Sequence, residues 1–263
     1  MKQCFILNKM KAELSETVQY YLQIDHDYLL LNNFINQSLK IEFTNKIYCA
    51  HCGKLTRKSF GHGFCFACYQ TAPEADITVM KPELDQSHLG IARDMEWAKT
   101  HNLIDHYVYL ANTGDLKVGI TRHTQIPTRW IDQGATQAVR IAKVPYRQLS
   151  GLIEVELKKN YKDITNWRKM LQGEPELIDL NEERKKAQSF IFKNFGDYLI
   201  DDAPIEISYP ITKYPKKVKS LKLDQQTVYR GKLVGIKGQY LIFDDDIVFN
   251  LRSHTGYQIY LEV

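Results

Sequence analysis

The chain lacks any apolar run approaching the roughly 18 residues that a membrane span requires. Its opening, Met1-Lys-Gln-Cys-Phe-Ile-Leu-Asn-Lys9, holds too short an apolar segment for a secretory signal. A cytoplasmic protein with no membrane partner is therefore expected. A surplus of charge is also missing: 35 basic residues against 31 acidic ones leave a net +4, which is compatible with nucleic-acid binding without arguing for it. The cysteines do not suit a disulfide framework, because there are five of them and four fall into two close pairs. That pattern favours a metal site and leaves Cys4 as a small buried hydrophobe.

Against these absences stands an ordinary globular composition, with 44% hydrophobic and 25% charged residues over 263 positions. Wholesale disorder is excluded, and there is room for one large domain or two to three small ones. Short β-prone runs over residues 1–47 predict a small antiparallel unit. Residues 48–106 hold the cysteines and a linker, with a helix expected from Asp94 to His101. Residues 107–200 alternate strand and helix signals, including a helix starting near Thr124 that admits Pro127 in its first turn. Two later helical stripes are Leu149, Leu152, Ile153, Leu157 and Tyr161, then Ala187, Phe190, Ile191 and Phe195. From 205 to 263 four strand-length runs predict a small barrel or sandwich, which could pack with residues 1–47. The fold class expected is α+β. Lys213, Lys216, Lys217, Lys219 and Lys222 cluster ahead of those strands, as a solvated linker or a phosphate-facing segment.

Cys49-Ala-His-Cys52 and Cys65-Phe-Ala-Cys68 are separated by twelve residues. The two-residue spacing lets both thiolates of a pair turn toward one ion, and Gly53 suits the close turn after the second of them. Four thiolates fill a tetrahedral shell around Zn²⁺ and leave no open position, which makes the metal structural. His51 and His62 are alternative ligands, although His51 inside the first knuckle should point outward. Between the pairs lie Lys54, Arg57 and Lys58 with Phe60 and Phe64. These either touch phosphates and stack bases or form the core of the ribbon.

The strongest chemical pattern is Tyr107-Val-Tyr109, a turn at Asn112-Thr-Gly114, Lys117-Val-Gly119, then Arg129 and Glu154. It resembles the GIY-YIG endonuclease superfamily, in which two hairpin strands carry the tripeptides, the next helix an arginine and a later helix a glutamate. The resemblance covers about 55 residues. It departs from the pattern at Tyr107, in place of the first glycine, and at Lys117, in place of the second tyrosine, as in a phage-associated branch reading Lys-Ile-Gly. It implies a Cys4 zinc ribbon beside a GIY-YIG-like α/β core, with Tyr109, Lys117, Arg129 and Glu154 as the catalytic set. Glu154 would hold Mg²⁺ or Mn²⁺, needed only if catalysis is retained, Tyr109 would move a proton, and Arg129 would meet charge building on phosphorus. In the bland alternative Glu154 pairs with Lys158 at i,i+4 and Gly119 merely permits close packing.

Lys54 to Cys65, Met80-Lys-Pro-Glu83, Gly119-Ile-Thr-Arg122, Thr128 to Gly134, Thr165 to Met170 and Gly235 to Tyr240 together resemble one uncharacterised bacterial family, domain of unknown function 2797. Many members of that family carry further cysteines between the ribbon and the first tyrosine, whereas residues 74–103 here have none. The expected role is DNA or RNA binding through Arg57, Lys58, Lys117, Arg122, Arg129, Arg168 and Lys169, with phosphodiester cleavage left open. The competing class is a non-enzymatic assembly or protein-interaction adaptor built on a degenerate nuclease fold.

Overall fold

The computed structural model describes residues 2–61 and 63–263. The chain divides into two compact units, one made of 1–71, 171–173 and 208–263, the other of 72–170 and 174–207. In chain order the elements are β1 (Lys2–Ile6), β2 (Lys11–Glu13), β3 (Gln19–Ile24), β4 (Asp27–Leu30), β5 (Ser38–Tyr48), β6 (Leu55–Thr56) and α1 (Phe66–Thr71). Next come α2 (Met95–His101), β7 (His106–Asn112), β8 (Leu116–Arg122), α3 (Thr128–Asp132), β9 (Gln137–Val144), α4 (Arg147–Leu157), α5 (Trp167–Leu171), α6 (Leu180–Phe195) and β10 (Ile205–Glu206). The chain ends with β11 (Lys219–Ser220), β12 (Val228–Lys237), β13 (Tyr240–Phe243), β14 (Ile247–Asn250) and β15 (Tyr257–Glu262). The fold is thus mixed α+β with several small sheets. Among the described residues no helix is long and apolar enough to cross a membrane.

The first unit is organised by β5, which pairs with β12 on one side and β15 on the other. The full order is β1-β15-β5-β12-β13-β14-β11, with β6 added to β5. Leu39, Ile41 and Phe43 alternate inward along β5 and are buried, the period-2 pattern of a sheet with one covered face. Asn45, at φ +61°, interrupts that alternation, and the register against β15 shifts between Tyr257 and Ile259. A second sheet, β2-β3-β4, buries Tyr20, Leu22 and Ile24 by the same alternation. Cys4 on β1 is exposed while its neighbour Phe5 is buried, so the expected buried role for Cys4 is wrong by one step of the pleat.

The second unit centres on β7 in the order β10-β9-β7-β8. Val108 and Leu110 of β7 join Val118, Val139 and Ile141 in a core closed by Leu149, Ile153 and Leu157 of α4 and by Leu180, Ala187 and Ile191 of α6. The α4 stripe is narrower than expected, because Leu152 is exposed, as is Phe190 on α6. Gly151 lets α4 approach residues 82–83, since a Cβ there would lie 2.4 Å from the Glu83 amide nitrogen. The helix expected from Thr124 begins only at Thr128. Ile126, held extended before Pro127, separates it from a 3-10 turn at His123–Gln125, as the steric clash of a residue with a following proline ring requires. Asp94 caps α2 by accepting the Trp97 amide at 2.9 Å.

His106, at the start of β7, is wholly buried with Nδ1 2.7 Å from the Ile104 carbonyl. Burial pushes its pKa down from 6.5 to about 4, helped by Arg147 and Arg122. The folded state therefore refuses a proton that the unfolded chain accepts near 6.5, so this contribution is complete above that pH and is lost as pH falls toward 4. The gap corresponds to roughly 3 kcal/mol. Urea unfolding between pH 7 and 4 should show a loss of that order which His106→Phe lacks; equal pH dependence in both proteins would refute this assignment.

Candidate functional site

The register of β7 on β8 sets Tyr109 opposite Gly119. The tyrosine ring lies over the glycine, and a Cβ on Gly119 would fall 2.6 Å from the phenol oxygen. A glycine on this edge strand thus gives the ring its seat, and the ring covers the glycine. Tyr109 is fully buried, donates to Gln133 Oε1 at 3.0 Å and meets Trp130 edge-on at 6.0 Å between centroids. Burial raises its pKa, opposed by the charge and hydrogen bond of Arg129. The phenol therefore stays protonated at neutral pH.

Lys117, two residues before Gly119 on β8, is 5% exposed. Burial brings its pKa down to about 8, helped by the charge of Arg129 and opposed by Glu154 and Asp163. Glu154 on α4 is 9% exposed, and burial raises its pKa against the pull of Lys158 and Lys117. Lys158 lies 3.7 Å from Glu154 and 3.3 Å from Asp163. Two strands and two helices thus bring Tyr109, Lys117, Arg129 and Glu154 into one electrostatic neighbourhood, with Arg129 half-buried at its edge. The i,i+4 contact of Glu154 with Lys158 is present as well. Arg147, Lys158, Asp163 and Trp130 complete this surround, and none belongs to the motif that drew attention to the site.

The remaining cationic candidates are dispersed. Arg122 is half-buried. Arg168 is exposed and rests its guanidinium 4.3 Å over the Trp167 ring. Lys169 is held by Asp115 at 2.6 Å, with Lys162 on the other carboxylate oxygen at 2.7 Å. Lys216 and Lys217 of the lysine run present backbone amides to Asp246. A cavity of about 180 Å³ is lined by Asp76, Thr78, Asp85, Arg93 and Trp97, and Arg147 donates to the Thr78 carbonyl at 3.3 Å. Its polar groups satisfy one another, Arg93 with Asp76 at 2.5 Å and Asp85 with Ser87 and Asn102.

In the first unit the four sulfurs of Cys49, Cys52, Cys65 and Cys68 lie within 4.8 Å of one another, close enough to hold a metal ion such as zinc. The Cys52 and Cys65 sulfurs are 4.0 Å apart, near the ~3.8 Å edge of a tetrahedron with zinc–sulfur bonds of about 2.3 Å. The first knuckle closes through Gly53, whose amide donates to the Cys49 carbonyl at 2.9 Å. Its φ of +69°, in open space, demands glycine for conformation and not for room. Burial opposes ionisation of Cys49, yet backbone amides of Cys52, Cys65 and His51 outweigh it and hold the thiol at about 6. Burial and the three neighbouring thiols push Cys68 up to about 12. Four sulfurs this close repel one another as thiolates, and a divalent cation among them removes that conflict. His51 is exposed, and His62 lies outside the described residues.

Fold and site together define a mixed α+β protein with a four-cysteine cluster able to hold metal. The family described as "Protein of unknown function (DUF2797)" matches residues 36–259, and the chain belongs to it. No curated protein and no solved structure matches the chain.

Elemental analysis of the purified protein should find about one bound metal ion per chain. Cys52→Ser should lower that occupancy and the unfolding temperature together. Undiminished metal content in the variant would exclude these four sulfurs as the ligand set.

Proposed function

We propose that this protein binds nucleic acid by seating a backbone phosphate against Arg129 and Lys117 in the second unit, while zinc on the four cysteines holds the ribbon of the first. The reading rests on one observation: a phenol, an ammonium, a guanidinium and a carboxylate from four separate elements share a largely buried locus. Arg129, Lys117, Lys158 and Arg147 outnumber Glu154 and Asp163 there, so an incoming anion meets a positive field. Arg129 supplies the planar donor fork that suits a phosphate, and its partial exposure gives a ligand access. The GIY-YIG resemblance is in keeping with this arrangement, since the two tripeptides occupy paired strands and the arginine and glutamate occupy successive helices.

A second reading, phosphodiester cleavage, is favoured by the nearness of Glu154 to the Tyr109 phenol. A divalent ion held by Glu154 would supply Lewis-acid polarisation of a nonbridging oxygen. Tyr109, protonated and fixed by Gln133, would hold its proton at the phenol oxygen, and Arg129 would meet the charge growing on phosphorus. Occupancy of Glu154 by metal requires that its contact with Lys158 open. The adaptor alternative keeps the same residues purely as a scaffold.

Arg129→Ala should weaken oligonucleotide binding about tenfold or more and make the logarithmic salt dependence shallower by about one. Glu154→Gln should retain binding and, in the cleavage reading, abolish Mg²⁺-dependent strand scission. Unaltered binding and salt slope in Arg129→Ala would leave the adaptor class in possession of the site.

A further inference from the structure

The ribbon carries an exposed aromatic face that its fold does not require. Phe64 is the buried aromatic of the segment, and its backbone exchanges hydrogen bonds with Phe60 at 2.9 and 3.0 Å. Phe66 and Tyr69 on α1 are 56% and 44% exposed, and Leu55 beside the first knuckle is 63% exposed. Phe60, half-buried, joins Phe66 edge-on at 5.3 Å and Tyr69 at 6.1 Å, so the three rings form one continuous patch. Gly61 keeps the patch together, because a side chain there would press on the Tyr69 ring at 3.2 Å. Water-facing phenyl and phenol rings cost free energy in the isolated protein and mark a surface awaiting a partner.

The charge of the segment that carries the rings says what kind of partner. Residues 43–73 contain no aspartate or glutamate, while Lys46, Lys54, Arg57 and Lys58 fall among them. All four cations are exposed, and the Lys58 ammonium sits 5.4 Å above the Phe60 ring. A divalent ion on four thiolates leaves two negative charges, so the four side-chain cations still dominate. An apolar protein partner would need the rings but not this one-sided charge. A duplex would suit the charge, but its base faces are stacked on one another and closed to side chains. A strand with unpaired bases answers both features, offering flat π-faces to the rings and phosphates to the cations.

We propose that this face binds single-stranded nucleic acid, with bases stacked on Phe60, Phe66 and Tyr69 and phosphates tracked by Lys54, Arg57 and Lys58. The assignment rests on the nucleic-acid reading of the protein and deepens it by naming the strand form and a second contact surface.

The test measures fluorescence anisotropy of a labelled oligothymidine about a dozen nucleotides long, and of a duplex of equal length, with full-length metal-loaded protein. The single strand should bind at least tenfold more tightly than the duplex. Phe66→Ala/Tyr69→Ala should weaken single-strand binding by about tenfold per ring, with metal content and salt slope retained. Lys54→Gln/Arg57→Gln/Lys58→Gln, which leaves the rings in place, should flatten the salt slope by about two or more. Equal affinity for both strand forms, or no effect of either multiple variant, overturns the proposal. Arg129→Ala separates the two ideas: loss there with intact ribbon variants sinks only the ribbon proposal, and loss in the ribbon variants alone sinks only the Arg129 site.

Discussion

The arrangement of the second unit depends on how two buried charges of opposite sign tolerate each other. Lys117 and Glu154 are 5% and 9% exposed, and burial works against the charged form of each. Burial raises the Glu154 pKa against the pull of Lys158 and Lys117, and it lowers that of Lys117 against the pull of Glu154 and Asp163, so each group favours the charged form of the other. Their placement follows from strand register. Gly119 must be free of a side chain for Tyr109 to lie flat, and once that pairing is fixed Lys117 lies two residues away on the same face of β8. The glutamate arrives from α4, whose buried residues Leu149, Ile153 and Leu157 repeat every fourth position.

A parallel logic applies to the first unit, where a metal cation held by the four cysteines would take the place of the lysine. Cys49 is stabilised as a thiolate by backbone amides, while Cys68 is driven the other way by burial and three sulfur neighbours. The two shifts in opposite directions record a cluster whose charge is not resolved by the polypeptide alone. In both units, then, a functional group is held where its ionised form depends on a neighbour of opposite charge.

Much of this was legible in sequence where chemistry depends on spacing. The cysteine pairs and the order Tyr109, Lys117, Gly119, Arg129, Glu154 announce themselves because knuckles and hairpins impose fixed intervals. Lys158 was legible as well, from its i,i+4 spacing to Glu154, but Arg147 and Asp163 were not, since they reach the site only through folding. Periodicity also overreached: Leu152 and Phe190 fit helical stripes yet face outward, because α4 and α6 bury narrower faces than the pattern allowed. In the ribbon the sequence left open whether the phenylalanines were core or contact. The answer is divided, with Phe64 buried and Phe60 half-buried against the exposed Phe66 ring. Packing of residues 1–47 with the C-terminal strands could be suggested from the sequence, but which strands pair, β5 with β12 and β15, could not be read from any local pattern.

The claim that this locus receives a phosphate can be read at the Lys117 ammonium itself. Nuclear magnetic resonance titration of its terminal methylene in the free protein should give a midpoint of about 8. With a short oligonucleotide bound, the neighbouring anion favours the charged form, and the midpoint should rise by about a unit or more. A midpoint that stays in place while the oligonucleotide is bound would contradict the account.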